Sequence, residues 1–562
     1  MQQHLSRVTP TAAKRMYING TVRTMADDAR SDPVPTAFAV TDGVFVAVGS
    51  DDDVRQYLGP DTEIVDLCRR TVLPGFIETH LHPHMLGTDM AVVDAGIRTS
   101  PSIDILLSAL RERADNTDMD TAVIAAGFDD SLVAEDRGLT TADLDQVSIE
   151  RPVIVRHLSG HGVYVNSFVL HEQSIDKTTP DPVGGVIVRD ADGNPTGEFR
   201  EIPAMNLVVR PDQTMPSVAL LDDALRRALE AMSAVGVTSF HDMFVAPVMV
   251  NSYRRLLAAN ELTARARLYV GFGAATSAEA SEENADLFDV PDDDMLTVGG
   301  VKIISDGSIQ LHTGALTEPY SDLEDCTCGG MAIPEANLNE MVAHHHSRGR
   351  QVAIHTNGDL AIDRALDAID NAATTGPETS RTLVHRLEHV QTLREDQIHR
   401  IARLGVAVSV FVNHVYYWGD RHHDRYLGHE RGSRISPVAS INRAAVPFAL
   451  HCDSPVTPVD PLFTIDTAVN RLTRSGRVLG PTERVEPWVA LSGYTSSAAR
   501  LSGETAVKGR IAPGLFADFV ILDDDPLTVD PTAIKSISVL ATVVGGRVVH
   551  SSEFDPHSEA SA

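Results

Sequence analysis

Short apolar runs broken by turn residues open this chain. Residues 17–19, 37–40 and 44–48 have the composition of strands, and Asp42-Gly43 between the last two is a hairpin signal. The other end has the same texture. Residues 519–522 and 539–544 read as strands, and Gly545-Gly546 turns the chain into Val548-Val549. Two β-rich ends around a different middle predict one small β-sandwich built from both termini, residues 1–73 and 503–562.

The middle alternates. A β-branched, apolar run at 71–76 comes first. An amphipathic helix then carries Leu221, Leu225, Ala228, Leu229 and Met232 on one face, stops at Gly236 and leads into a strand at 237–240. Further strand-like runs follow at 268–271, 298–304, 352–354, 382–387, 406–410 and 446–450. Helical patterns such as 338–346 and 361–369 separate several of them. Eight strands alternating with helices predict an α/β chain with a (β/α)8 TIM barrel. The count requires barrel strand 1 within 74–99, an insertion over 100–215, and the rest of the barrel over 216–502. The insertion carries its own strand candidates at 123–126, 153–156 and 185–188.

Composition narrows the partners. The chain has 47 basic against 78 acidic side chains, a net charge of −31. Such a surface repels nucleic acid and anionic membrane, so neither is expected as a partner. No run approaches the roughly 18 apolar residues that a membrane-spanning helix needs. The opening MQQHLSRVTPTAAKR lacks the apolar segment of a secretory signal, and a cytoplasmic location is expected. The chain's 4 cysteines make no disulfide framework, and Cys326-Thr327-Cys328 reads as an ordinary loop.

The chemistry gathers at strand ends. In Pro74-Gly75-Phe76-Ile77-Glu78-Thr79-His80-Leu81-His82, the two histidines lie two apart at the end of a strand. Period-two geometry puts them on one face, where two imidazoles can share a metal ion. His355 closes the run at 352–354, His389 follows the run at 382–387, Asp453 follows the run at 446–450, and Lys302 sits inside 298–304. TIM barrels build their active sites at the C-terminal ends of their strands. Five strands each delivering a group able to bind or bridge metal is more than core packing requires.

These motifs resemble the amidohydrolase superfamily, and more closely its large-insertion branch that includes N-substituted formamide deformylase. The matching segments run in order from about Tyr17 to Val549. They include VLPGFIETHLHPH, RPVIVRHLSGHGVYVNS, PVGGVIVRDADGNPTGEF, VTSFHDM, GGVKIISDGS, AIHTNGD, HRLEHVQ, CDSPVTPVDPL and GRIAPGLFADFVILDDDPLTV. The resemblance implies that His80, His82 and Asp453 bind one metal and that His355 and His389 bind a second. It implies that Lys302 is carbamylated and bridges the two, the alternative being an uncarbamylated Lys302 that pairs with Asp306 or substrate beside a single metal. One or two Zn2+ per chain are then expected, other divalent metals being alternatives. It also implies hydrolysis of a non-peptide C–N bond in an amide, N-acyl, N-formyl or cyclic amide by metal-activated hydroxide. Asp453 would carry the proton, with His389 and His161 as further catalytic groups. Deamination, ester hydrolysis or decarboxylation of a small aromatic or heterocyclic substrate is the alternative on the same fold. A homodimer acting on a small molecule is expected by the same resemblance.

The chain departs from its relatives after the seventh strand. Phe411-Val412-Asn413-His414 and Tyr416-Tyr417-Trp418 stand where relatives often carry Gln-Pro, and His451-Cys452 where they usually carry Gly-Ser. Phe411, His414 and Trp418, with Phe128 and Asp129 of the insertion, are expected to line the substrate pocket. His344-His345-His346 reads as the end of a helix rather than as a metal tract.

Overall fold

The computed structural model describes residues 12–26, 33–209, 217–272, 293–324, 327–380 and 382–552. Eight strands form its central sheet: β1 (Phe76–Leu81), β2 (Val237–Val245), β3 (Arg265–Phe272), β4 (Leu296–Ile304), β5 (Gln351–Thr356), β6 (Arg386–His389), β7 (Ala407–Val410) and β8 (Phe448–Leu450). They pair in chain order and all in parallel. Beyond their ends β8 and β1 meet. The Asp453 amide donates to His80 O at 3.2 Å, and the His82 amide to Ser454 O at 2.8 Å. The sheet therefore curls back on itself as a TIM barrel, and its first and last strands lie side by side at the mouth. The main core lies between strands and helices, where Phe240, Leu268, Ile354 and Leu387 pack with Leu225, Leu366 and Ile398. Burial on both faces explains why the strands read as continuous apolar runs.

Several boundaries differ from the sequence reading. The run at 71–76 is two strands. Thr71–Pro74 joins a terminal sheet, pairing with Phe519–Leu522, and only after Gly75 does the chain enter the barrel as β1. Glycine is required at that corner, because a Cβ would lie 2.1 Å from Thr238 Oγ1. β6 begins at Arg386 rather than 382, so Glu388 and His389 belong to the strand itself. The insertion sheet begins at Val93–Asp94, before residue 100. It also contains Gly162–Val165, a run of only four residues, and Pro195–Arg200, whose mixed polarity hides it in the sequence.

The terminal unit consists of two sheets. One is drawn wholly from the N-terminal segment, and the other combines 21–22 and 71–74 with the three C-terminal strands. Tyr17 and Phe38 stack at 4.7 Å between them, and Phe519 meets both edge-on at 5.1 and 5.0 Å. Among the described residues no helix is long and apolar enough to cross a membrane.

A close helix crossing supports β1. In helix α1 (Pro83–Asp89), a Cβ on Gly87 would lie 1.8 Å from Ala224 O in helix α2 (Val218–Ala234). Gly87→Ala must push the helices apart. A loss of about 1–3 kcal/mol is expected, read as a lower urea midpoint, and an unchanged midpoint would show that the crossing adjusts freely.

Candidate metal centre

His80 lies in β1, and His82 follows as the residue before α1. Asp453 Oδ1 lies 3.4 Å from Nε2 of each, and its Oδ2 lies 3.7 Å from Nδ1 of His389 in β6. Lys302 Nζ, from β4, is 3.2 Å from His80 Nε2. The ligand atoms of His80, His82 and Asp453 lie within 4.8 Å of one another, as do those of His80, His389 and His451. His355, in β5, packs its ring 4.4 Å from that of His389, but its Nε2 is turned to Gly307 O at 3.1 Å. Asp453 and His389 both hold positive φ, +55° and +68°. Such conformations cost of order 1–3 kcal/mol in non-glycine residues and cluster at functional sites.

The donor set fits a divalent cation. Asp453 Oδ1 and His389 Nδ1 are buried without a hydrogen-bond partner, and so are both ring nitrogens of His451. Groups left in this state cost about 1–3 kcal/mol each unless something occupies them. An imidazole and carboxylate set suits zinc and its neighbours. Burial, reinforced by Lys302 and neighbouring imidazoles, holds His80 and His389 well below the usual histidine range. Burial, with the charge of His161, does the same for His355. Neutral imidazole is the form that ligates metal. Burial alone would raise Asp453, but His82, His451 and Lys302 outweigh it and hold the carboxyl at about 2. Burial pushes Lys302 down to about 8 against the pull of Glu388 and Asp453.

Behind the ligands lies a buried polar network that the sequence reading missed. His80 Nδ1 donates to Glu388 Oε2 at 2.7 Å, which aims Nε2 at the centre. Arg386 grips the same carboxylate through Nε and Nη2, and its guanidinium also reaches Thr79 O at 2.8 Å and His241 Nδ1 at 2.9 Å. The signal was present in Arg386-Leu387-Glu388, where period two puts both charges on one face. Asp306 ties the loops after β4 and β5 together by accepting from the amides of Ala315, Asn357 and Gly358. Glu78 accepts from the Tyr494 hydroxyl at 3.0 Å and the His80 amide at 3.1 Å, and burial pushes its carboxyl up to about 8.

A cavity of about 240 Å³ opens over the centre. His80, His82, Lys302, His355, His389 and Asp453 line one side of it. Met85, Ile202, Phe244, Met249 and Val456 give it apolar walls, and His161 enters from the insertion. Asp242 also lines it, held by the Tyr253 hydroxyl at 2.8 Å.

The five residues expected to contact substrate do not line this cavity. Phe128 packs edge-on against Tyr164 at 5.3 Å in the core of the insertion. Asp129 accepts from Trp418 Nε1 at 2.6 Å, and Trp418 is 1% exposed in a cluster with Phe411 and Val456. Phe411 stacks on His451 at 5.1 Å, and His414 packs against Phe411 at 4.2 Å. A buried indole needs an acceptor. Asp129 supplies it, so this aromatic group fastens the insertion to the barrel. Asn413 donates through its amide nitrogen to Thr457 and Thr464, and its Oδ1 is buried without a partner. His345 stacks on Phe272 and His346 pairs with His385 at 2.9 Å, so the histidine run is helix packing. Of the two clustered cysteines, Cys326 lies outside the described residues.

Comparison with known proteins places this geometry. Residues 63–550 match the amidohydrolase family. The Bacillus subtilis protein YtcJ is 29% identical over 553 residues, 96% of this chain and 99% of that one. N-substituted formamide deformylase of Arthrobacter pascens is 29% identical over 549 residues, 94% of this chain and 97% of that one. The crystal structure of an uncharacterized metal-dependent hydrolase from Pyrococcus horikoshii superposes with a TM-score of 0.72 at 25% identity, over 92% of this chain and 99% of that one. These likenesses span the terminal sandwich, the insertion and the barrel together, and the chain belongs to the amidohydrolase family of metal-dependent hydrolases.

Proposed function

We propose that the protein hydrolyses a non-peptide C–N bond in a small amide, N-formyl, N-acyl or cyclic, and that zinc is its metal. The observation that carries this reading is Asp453 Oδ1, buried without a hydrogen-bond partner among imidazoles at the floor of a small cavity with apolar walls. Relatives named for amide chemistry, the formamide deformylase among them, favour an amide over other substrates.

His80, His82 and Asp453 would hold one cation. His389, His355 and a carbamylated Lys302 would hold a second. Carbamylation adds CO2 to the neutral lysine amine with loss of a proton, and burial favours that neutral amine. A bound cation supplies Lewis acidity and lowers the pKa of water from 15.7 to about 7. Glu388 and Arg386 hold the His80 ring in place throughout. The Asp453 carboxylate takes the proton from the attacking water and returns it to the leaving nitrogen as the C–N bond breaks, yielding carboxylic acid and amine. The apolar walls keep bulk water from the reacting carbonyl.

Elemental analysis of the purified chain tests the centre. Two zinc ions per chain, falling to one or none in Lys302→Ala, are expected. A metal content of one that Lys302→Ala leaves unchanged would overturn the bridged site. Product analysis on N-formyl, N-acyl and cyclic amides tests the reaction, with amine and acid expected. Release of ammonia from an amino-heterocycle, with all amides inert, would overturn the amide reading.

A further inference from the structure

The insertion reaches the cavity through Ile202 and through a short arm. Ser159, Gly160 and His161 lie between the strands Val153–His157 and Gly162–Val165, and all three line the cavity. The register of the insertion sheet decides what stands beside this arm. Gly162 pairs with Arg200 in an antiparallel ladder, so the next residues outward, His161 and Glu201, face each other. Two bonds join them. The Glu201 amide donates to His161 O at 2.7 Å, and His161 Nδ1 donates to Glu201 Oε2 at 2.8 Å. A carboxylate only accepts, so this contact places a proton on Nδ1 and leaves Nε2 free for another partner.

Glu201 is held there at a cost. Its φ is +66°, in the left-handed region, just before the helix Ile202–Val208. Its other oxygen, Oε1, is buried without a partner. The barrel makes room for it, since a Cβ on Gly307 would lie 2.3 Å from Oε1. Gly307 O is also the acceptor for His355 Nε2, and the His161 and His355 rings lie 5.3 Å apart. The carboxylate thus sits at the joint between the insertion and the metal side of the cavity. Strained backbone and an unpaired buried oxygen at one residue are unusual costs for packing alone.

We propose that Glu201 is a positioning residue for amide cleavage, fixing His161 through Nδ1 so that Nε2 is presented to the substrate in the cavity. This rests on the reading of the protein as an amide hydrolase. It gives the insertion a part in the reaction, because His161 and Glu201 both belong to it.

A double-mutant cycle on the metal-loaded enzyme tests the proposal, with Glu201→Ala, His161→Ala and the double variant assayed on an N-alkylformamide. Each single change is expected to lower kcat/KM roughly 10–100-fold. The double variant is expected to match His161→Ala, since residues acting as a unit are not additive. Metal content per chain is expected to stay at the wild-type value in all three. A Glu201→Ala effect that persists in full in the His161→Ala background would overturn the proposal, as a merely structural glutamate would behave that way. Glu201→Gln, of equal volume, replaces the alanine variant if that variant does not fold, and is expected to show the same non-additivity. If the wild type cleaves no amide, the amide reading fails by itself, and the same cycle is then read on p-nitrophenyl acetate. Additive losses on that ester would sink the positioning role.

Discussion

Asp453→Asn is expected to lower kcat by on the order of 10³-fold while the chain remains folded. Asparagine keeps the volume of the side chain and tolerates the left-handed backbone that position 453 holds at φ +55°. The bond from the residue 453 amide to His80 O does not involve the side chain, so the junction of β8 with β1 survives. What the amide cannot do is take a proton from water and return it to nitrogen. Circular dichroism and metal content per chain, measured beside kcat, separate loss of chemistry from loss of structure. Turnover within tenfold of wild type, at unchanged metal content, would remove Asp453 as the proton carrier.

The second large effect is expected at Glu388. Glu388→Ala strips the carboxylate from Arg386, which is 0% exposed. Breaking a buried pair from one side typically costs about 3–5 kcal/mol, because the remaining charge is left uncompensated. The same change frees the His80 ring, whose Nδ1 has Glu388 Oε2 as its partner at 2.7 Å. A 10–100-fold loss of metal affinity is expected alongside. The two effects separate in Arg386→Met/Glu388→Leu, which removes both charges. Stability is expected to recover in that variant, while metal affinity stays low. Urea denaturation and metal-competition titration read the two quantities. A Glu388→Ala variant with wild-type stability and wild-type affinity would show that the network neither braces the barrel nor aims the histidine.

The candidate metal ligands are legible in the sequence because barrel strands end abruptly in polar groups. His80 and His82 follow an apolar run, and Lys302 interrupts one. A charge in such a run is either functional or paired, and Lys302 is buried within 3.2 Å of His80 Nε2. Glu388 stands next to His389 at a strand end, and Arg386 two residues earlier marks it as half of a buried pair. Glu201 carried no signal of its own. It lies 40 residues from His161 and meets it only through the antiparallel register of the insertion sheet.

The aromatic segment after β7 is placed by a distant partner rather than by its composition. Its composition suited a substrate pocket, but composition does not say which way a side chain points. Trp418 Nε1 finds its acceptor in Asp129, 289 residues away in sequence, and that bond turns the cluster into packing between insertion and barrel.

The sequence by itself determined the alternation of strands and helices, the eightfold count, the interruption after the first strand and the polar groups at strand ends. These are local properties, carried by hydrophobic period and by turn residues. The tertiary structure decided where the first apolar run breaks, which carboxylate aims His80, and which residues of the insertion enter the cavity. Those depend on contacts between segments far apart in the chain. Sheet register, the closure of β8 onto β1 and the burial of unpaired charge set such contacts, and no local pattern encodes them.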